Sequence, residues 1–373
     1  MNIEKNKIQS CEVTVKEIGS EFWIDSVGEA PIDGFPKWLT TFGNPVLTSS
    51  GRGAITLILQ QIVPTSKSVL LPAYICESVI LPFIEQGYTC YFYELNDDLS
   101  PNIDSLVQDE QIGVFVHMGY YGFPTNANVT DVLNYFKKRS TIIIEDVTHT
   151  LFSSFERFEQ NDFYVGSIRK WFGIPSGGFA ASPKREMKAP HTTNEMFSKL
   201  RWEALCVKGQ FIESNDERMK ESFLQRFSEA EALLDDDLAP YCMEQRSMDV
   251  LNLVDAPDLV ERRRANYHTL LEGLVNVAGI EPFLSEFSEE YCPMFFPVRI
   301  NKSRTEIRNE LISEKIYCPV HWPIPKQIKV EHLKQSLYIY NTILSIPCDQ
   351  RYGKKEMERI LSVLHKVNRE IRK

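Results

Sequence analysis

A serine and a lysine share the turn-like segment SIRKWFG (residues 167–173), which follows the strand-like residues 162–166 and precedes a glycine pair at 177–178. A lysine can form a Schiff base with an aldehyde cofactor, and a serine near glycines can bind a phosphate group. A Ser-x-x-Lys pattern is common by chance, and a solvated turn is its more frequent structure. The segments around it decide between these interpretations.

An acidic strand end lies upstream, in the β-branched segment TIIIED (residues 141–146), and His149 follows three positions later. A buried strand rarely ends in adjacent carboxylates without partners, because an unpaired charge in a dry crevice is costly. Asp146 can hold a protonated ring nitrogen of a cofactor, or it can cap a following helix. His149 can line an active site or be a hydrogen-bonded histidine of the core. The residues alone leave both alternatives open.

A glycine-containing turn occurs earlier, where VLTSSGRGA (residues 46–54) leads directly into the apolar residues 55–62. Glycines at the start of a helix let its free amide groups and positive dipole end approach a phosphate. An ordinary glycine-rich turn is the alternative. Gly51 and Gly53 are therefore candidate phosphate-binding residues.

Strand-like and helical segments alternate in the first half of the chain, which predicts a largely parallel sheet. The strand-like runs lie at residues 68–71, 89–93, 112–117 and 141–145. A strand-like run gives way to a loop at five candidate positions, namely the glycine turn, residues 72–76, residues 117–124, Asp146 and Lys170. Ligands of open α/β sheets bind beyond the carboxyl ends of the strands, so these ends can converge on one cofactor. Their residue types fit pyridoxal phosphate.

The second half of the chain is predicted to contain further helices and a smaller domain. The length suggests two domains. We place the boundary near residue 250, which gives a large cofactor-binding domain at 1–250 and a small C-terminal domain at 251–373. A strand at 293–300 and an amphipathic helix at 354–371 mark the small domain.

Two charged segments in this half are interpreted as solvated surface. Residues 195–250 are helical in pattern, and an acidic face at 228–238 is expected to face water. Three arginines at 262–264 follow Pro257 in a helix-like run. They can attract a sugar phosphate, but a solvated face is the more common role.

Composition argues against several classes of function. The net charge of −10 is spread along the chain, which disfavours a general nucleic-acid binder. No apolar run approaches the roughly 18 residues of a membrane span, and the opening residues lack a signal-peptide core, so we expect a cytoplasmic protein without membrane contact. The eight cysteines show no Cys-x-x-Cys spacing, so we predict no metal site and reduced thiols.

Taken together, the segments resemble the pyridoxal-phosphate-dependent nucleotide-sugar aminotransferases of the DegT/StrS type, within the aspartate aminotransferase superfamily. The resemblance rests on SGRGAI (50–55), PAYIC (72–76), HMGYYGFP (117–124), EDVTH (145–149), SIRK (167–170) with its glycine pair, ERRRANY (261–267) and PVHWP (319–323). It implies an α/β chain of fold type I, in which a three-layer large domain with a mostly parallel sheet is joined to a smaller α+β C-terminal domain.

The resemblance also implies a role for each candidate site residue. Lys170 is expected to bind pyridoxal phosphate covalently, and Asp146 to keep its ring nitrogen protonated; these are the two catalytic residues. The other implied contacts are His149 beside the ring and its phenolic oxygen, Cys76 over one ring face, the loop of Gly51, Arg52 and Gly53 with Ser167 at the phosphate, and Tyr121 and His321 at the substrate. Arg52 and Cys76 stand where the family often has threonine and an aromatic residue.

The implied reaction is a ping-pong transamination from an amino donor, glutamate in the family, to a keto sugar that is nucleotide-linked, as used in polysaccharide biosynthesis. The resemblance further implies a homodimer with the cofactor at the subunit boundary, for which the segment KGQ (208–210) is a candidate contribution from the neighbouring chain. Two alternatives remain: elimination or dehydration on a sugar, and a non-catalytic relative. Related sugar dehydratases replace the lysine, so Lys170 argues against dehydration.

Overall fold

A computed structural model describes residues 17–24, 35–106, 111–275, 277–301 and 303–371 of the chain. The strands in these ranges are β1 (Ile18–Gly19), β2 (Asn44–Thr48), β3 (Ser68–Pro72), β4 (Thr89–Tyr93), β5 (Val114–Met118), β6 (Ile142–Asp146), β7 (Phe163–Ser167), β8 (Gly178–Ser182), β9 (Ile280–Pro282), β10 (Phe296–Ile300), β11 (Ile316–Tyr317) and β12 (Ile343–Ile346). The strands predicted at 68–71, 89–93, 112–117, 141–145 and 162–166 are confirmed to within two residues at either end.

The helices of the described ranges are α1 (Lys37–Thr40), α2 (Gly51–Gln60), α3 (Glu77–Glu85), α4 (Thr130–Lys137), α5 (Glu195–Ser214), α6 (Arg218–Asp236), α7 (Gln245–Asn252), α8 (Ala256–Gly273), α9 (Arg304–Ser313), α10 (Lys334–Thr342) and α11 (Lys354–Ile371). The helix predicted at 354–371 is confirmed. In the described part of the chain, every helix is too short or too polar to cross a lipid bilayer.

The large sheet has seven strands in the order β2-β8-β7-β6-β5-β3-β4. The five strands from β7 to β4 are parallel, whereas β8 runs antiparallel to both β7 and β2. Successive side chains of a strand point to opposite faces of the sheet, so alternate residues of the central strands pack in two different hydrophobic cores. Val114 and Val116 pack in the core that contains α2, and Phe115 packs in the core that contains α4. The predicted three-layer α/β architecture is therefore confirmed.

A smaller antiparallel sheet, in the order β12-β10-β9, forms in the C-terminal part and is covered by helices. There, α11 packs against α8 and α9. The strand predicted at 293–300 begins only at Phe296. The start of the described chain joins this part, because β1 pairs in parallel with β11. Helix α7 crosses residue 250, and the division of the chain into two domains stays a prediction.

The arginine run at 262–264 is not a solvated face, contrary to the expectation from sequence. Arg263 is fully buried, and its guanidinium donates hydrogen bonds to Gln350 and to the carbonyl oxygens of Pro293, Met294 and Trp171. Only Arg262 behaves as a surface residue, in an exposed ion pair with Asp258. Arg263 thus joins helix α8 to the large sheet, because Trp171 follows the turn after β7.

Candidate active site

The carboxyl ends of three neighbouring strands form the floor of a cavity of about 250 Å³. Register places Met118 of β5 opposite Asp146 of β6, and Asp146 opposite Val165 of β7. These side chains therefore lie on one face of the sheet, and all three line the cavity. The starts of α2 and α3 close its sides with Gly51 and Cys76.

Asp146 contributes a buried carboxylate to the cavity. Its Oδ1 accepts a hydrogen bond from the backbone N–H of Thr148 at 2.8 Å. Burial raises the pKa of the Asp146 carboxyl, although the hydrogen bonds from Thr148 and the positive charge of Lys170 oppose this shift. The residues after Asp146 form turns rather than a helix, so the carboxylate caps no helix here. Such a carboxylate would be stabilised by a cationic group placed in the cavity.

Lys170 ends a short 3-10 turn, Ile168–Lys170, directly after β7, and it lines the cavity together with Ser167. Gly178 begins β8 beside this turn. A Cβ at Gly178 would overlap the backbone of Ser50, so glycine is required for β8 to pass the start of α2. The predicted glycine pair therefore brings the lysine turn and the glycine turn together.

The start of α2 presents amide groups to the same cavity. Ser50 caps the helix, and its Oγ accepts a hydrogen bond from the N–H of Gly53 at 3.1 Å. That bond engages the Gly53 amide inside the chain, and Gly53 does not line the cavity. The N–H groups of Gly51 and Arg52, the first two residues of the helix, have no intrahelical acceptor. Of the three predicted loop residues, Gly51 and Arg52 are the ones available to an anion.

His149 lines the cavity with one ring nitrogen free. The backbone N–H of Tyr121 donates to His149 Nδ1 at 3.3 Å, while the buried Nε2 has no hydrogen-bond partner among the described residues. Burial lowers the pKa of His149 well below its ordinary value, and His321 and Lys170 lower it further. A neutral imidazole that accepts at Nδ1 carries its proton on Nε2. His149 therefore offers a hydrogen-bond donor to an acceptor in the cavity.

Tyr121 lies behind His149 rather than on the cavity wall. Its side chain is fully buried, and its hydroxyl hydrogen-bonds with Tyr74 at 2.9 Å and accepts a longer bond from Ser345. Tyr121 lines neither this cavity nor the one beside it. Its backbone N–H sets the tautomer of His149, and a direct contact of Tyr121 with substrate stays a prediction.

A second cavity of about 410 Å³ adjoins the first, since Arg169 and Lys170 line both. His321 lines the second cavity and hydrogen-bonds through Nδ1 with Ser345 Oγ at 2.7 Å. Burial and the nearby Lys170 lower the pKa of His321 to about 3, so its ring is neutral at physiological pH. Arg308 lines this cavity as well. Its Nε donates to Cys318 O at 3.0 Å, and its Nη groups make no hydrogen bond to the described residues.

Solved structures of known proteins share this architecture. Spr1654 from Streptococcus pneumoniae, described as a sugar aminotransferase, matches with a TM-score of 0.68 at 16% identity over 95% of this chain and 99% of that chain. PseC from Helicobacter pylori, an aminotransferase involved in the biosynthesis of pseudoaminic acid, matches with a TM-score of 0.63 at 14% identity over 94% and 100%. The chain has the fold of these aminotransferases.

A third match, the sugar aminotransferase CalS13 from Micromonospora echinospora, has a TM-score of 0.63 at 14% identity and covers 95% of this chain and 99% of that chain. The sequence matches no protein-family model, and no curated protein matches it by sequence. The structural matches confirm the fold type I architecture that the sequence predicted.

Most of the predicted cofactor residues meet in one cavity. Its lining includes Gly51, Arg52, Cys76, Asp146, His149, Ser167 and Lys170. Cys76 is half-buried, and its Sγ accepts a hydrogen bond from Ser78 at 3.1 Å. The described residues contain no group of three or more His, Cys, Asp or Glu side chains placed to hold a metal ion.

Several lining residues were not among the predicted site residues, and four of them carry polar or aromatic groups: Thr148, Arg169, Glu231 and Trp322. Thr148 and Arg169 lie inside the segments that were singled out, between recognised residues, so local sequence could have indicated them. Trp322 follows His321, and its ring lies 5.3 Å from the ring of His149. Glu231 had no local signal, because it belongs to the acidic face that was expected to be solvated.

Proposed function

We propose that the chain is a pyridoxal-phosphate-dependent aminotransferase that transfers an amino group from glutamate to a keto group of a nucleotide-linked sugar. The observation that carries this proposal is the pairing of a buried carboxylate, Asp146, with an amine, Lys170, in one cavity at the ends of three parallel strands. This combination suits an aldehyde cofactor with a basic ring nitrogen.

The donors and acceptors of the cavity fit pyridoxal phosphate. Asp146 would bind the protonated ring nitrogen. The positive charge of that nitrogen would stabilise the ionised carboxylate and so offset the effect of burial, which raises the pKa of Asp146. The unpartnered Nε2–H of His149 would donate to the phenolic oxygen. Ser167 and the free amide groups of Gly51 and Arg52 would bind the phosphate.

When bound, pyridoxal phosphate supplies an electron sink for the bond broken at the substrate carbon. The chain supplies the proton transfer. Lys170 Nζ is expected to bind the cofactor between turnovers and, once free, to move the proton at the substrate carbon as a general base. The Asp146 carboxylate would keep the ring nitrogen of the bound cofactor protonated.

The second cavity is proposed to hold the acceptor sugar. It meets the first at Lys170, so a keto carbon presented to Lys170 would leave the rest of its molecule beside His321 and Arg308. The free Nη groups of Arg308 favour an acceptor with an anionic group, as a nucleotide-linked sugar has in its diphosphate.

The absorbance spectrum of the purified protein tests this function directly. We expect a visible band of covalently bound pyridoxal phosphate that converts, on addition of glutamate, to the shorter-wavelength band of the amine form. A band that glutamate leaves unchanged would support another reaction of the same cofactor, such as elimination. A protein that gains no band when the cofactor is added would instead be a non-catalytic relative.

Arg308→Met tests the proposed position of the acceptor. We expect the KM for a nucleotide-linked keto sugar to rise about 10- to 100-fold, the effect of losing one charge-assisted contact. The half-reaction with glutamate should keep its rate, because Arg308 lies in the second cavity alone. Arg308→Lys, which keeps the charge but loses the planar fork, should give an intermediate KM. Equal KM values in all three proteins would place the acceptor elsewhere.

A homodimer is proposed as the working form, from the resemblance of the sequence to a dimeric family and from the frequency of two-fold assemblies among soluble enzymes. Lys208 is a poor candidate for the partner contact, because it is buried and donates to Ser20 Oγ and Glu21 O of its own chain. Sedimentation at low micromolar concentration, beside activity over the same dilution series, measures the assembly. A monomer with undiminished activity would contradict the proposal.

A further inference from the structure

A cluster of charged side chains surrounds one end of the first cavity. Glu231 of α6 accepts from Arg169 at 2.6 Å and from Arg201 at 3.3 Å, and lies 3.6 Å from Arg52. Asp235, one turn further along α6, forms a second ion pair with Arg52. Two residues of the acidic face at 228–238, Glu231 and Asp235, are therefore paired rather than simply solvated, contrary to the expectation from sequence. Their arginine partners come from α2, α5 and the lysine turn.

Three members of this cluster, Arg52, Arg169 and Glu231, line the cavity beside Ser167 and Gly51. A Cβ at Gly51 would lie 3.2 Å from the Cβ of Ser167, so the amide groups of α2 and the serine are adjacent. Both arginine side chains are close to 90% buried, at 11% and 12% exposure. Their guanidinium groups thus lie at the end of the cavity that the proposed function assigns to a phosphate.

The two guanidinium groups have donors to spare. A guanidinium carries five N–H donors. Arg169 uses only Nη1 among the described residues, and its buried Nε has no partner. Among the described residues, the Arg52 guanidinium donates one hydrogen bond, to Asp235. A phosphate oxygen matches the planar fork of such a group better than water does.

We propose that Arg52 and Arg169 bind the phosphate of the cofactor with their side chains, and that Glu231 weakens this binding by like-charge repulsion. The inference rests on the proposed function, since it assumes a cofactor with a phosphate group. It assigns to Arg52 a side-chain contact in addition to its amide. It makes Glu231 a residue that sets the affinity for the cofactor.

The sign of the Glu231 effect follows from its charge. Burial would raise the pKa of Glu231, but the arginines, Arg169 and Arg201 foremost, lower it to about 2, so the carboxylate stays ionised at physiological pH. A cavity of about 250 Å³ keeps any phosphate inside it near that charge. The side chain is 38% exposed, so solvent screens the repulsion and limits it to a modest factor.

The test compares the binding of pyridoxal phosphate with that of pyridoxal, which lacks the phosphate, to protein freed of its cofactor. Absorbance of the covalent complex reports both dissociation constants. We expect Glu231→Gln to lower the Kd of pyridoxal phosphate about 3- to 10-fold, as loss of one partly screened like charge predicts. Arg169→Met should raise that Kd at least about tenfold, as loss of a charge-assisted contact predicts. Neither variant should change the Kd of pyridoxal.

Glu229→Gln and Arg218→Met are the matched controls. Each removes a charge of the same sign as its counterpart, Glu231 or Arg169, but Glu229 and Arg218 are exposed residues of α6 and lie away from the cavity. Inorganic phosphate adds a second readout without the cofactor: it should compete with pyridoxal phosphate more strongly in Glu231→Gln than in the wild type. If Arg169→Met fails to fold, Arg52→Met and the competition by inorganic phosphate test whether the arginine side chains bind the phosphate.

An unchanged or weakened affinity for pyridoxal phosphate in Glu231→Gln would overturn the proposal, because Glu231 would then serve only to hold the arginines. Equal losses for pyridoxal phosphate and pyridoxal in Arg169→Met would overturn it as well. These failures differ from failure of the proposed function, in which the wild-type protein would form no covalent complex with either compound.

Discussion

Replacing Lys170 with arginine is expected to abolish amine transfer, with turnover falling by at least about 10⁴-fold, the upper range for loss of a general base. Arginine keeps a positive charge in the cavity, but it neither binds the cofactor covalently nor accepts a proton, because its guanidinium does not deprotonate in proteins. The measurement is the rate of conversion of bound cofactor to its amine form after addition of glutamate.

Chemical mapping checks the same residue independently of rate. Reduction of the wild-type protein with borohydride, followed by peptide mapping, should find the pyridoxyl group on Lys170. Lys184 and Lys188 are the natural controls, because they are exposed lysines a short distance along the chain. Lys184 already hydrogen-bonds Asp162 and lines neither cavity of the site. A label on Lys184 or Lys188, or on no lysine, would contradict the assignment of Lys170 as the residue that binds the cofactor covalently.

Asp146→Asn is expected to lower turnover by about 10²- to 10⁴-fold, the usual contribution of one positioned acid or base to catalysis. The melting temperature should stay nearly unchanged. An amide cannot stabilise a protonated ring nitrogen as a carboxylate does. The folded chain tolerates the neutral residue, because burial already disfavours the charge of Asp146, as its raised pKa indicates. The asparagine oxygen can still accept the hydrogen bond from Thr148.

Asp162→Asn provides the opposite control, at the other end of the sheet. Asp162 forms ion pairs with Lys137 and Lys184 and accepts from the backbone N–H of Ile143. We expect this variant to lose about 0.5 to 2 kcal/mol of unfolding free energy, because two partly exposed ion pairs are lost at up to about 1 kcal/mol each, with little change in turnover. If Asp146→Asn behaved in this way instead, its carboxylate would have a structural role alone.

Local sequence was sufficient for the elements that carry the site. The run of isoleucines before Asp146 specifies a buried strand, and the polar residue at its end falls at the carboxyl edge of a parallel sheet. Ser50 caps α2 with its own side chain, so the start of that helix is encoded within four residues. Lys170 follows β7 by three positions. Each of these features depends on neighbours in the chain, which a single sequence displays.

Tertiary structure alone decided which charges meet. Glu231 reaches Arg169 across 62 positions of sequence, and Arg263 reaches the carbonyl oxygen of Trp171 across 92. Their local patterns were those of solvated helices, and that expectation was wrong for Arg263 and Glu231, although Glu229 of the same acidic face is exposed. His149 likewise takes its tautomer from the backbone of Tyr121, which a neighbouring strand end brings beside it.

The physical reason is that the local sequence around a charged side chain does not show whether that side chain faces water or a charged partner. Whether a charged side chain is buried against a partner depends on how distant elements pack, here α6 against α2 and α8 against the turn after β7. Hydrophobic periodicity reports which face of a helix is apolar, but not which charged residue at its edge is covered. The sequence by itself therefore determined the five parallel strands, the start of α2 and the positions of Asp146 and Lys170 at strand ends, whereas only the folded chain decided the arginine and carboxylate contacts around them.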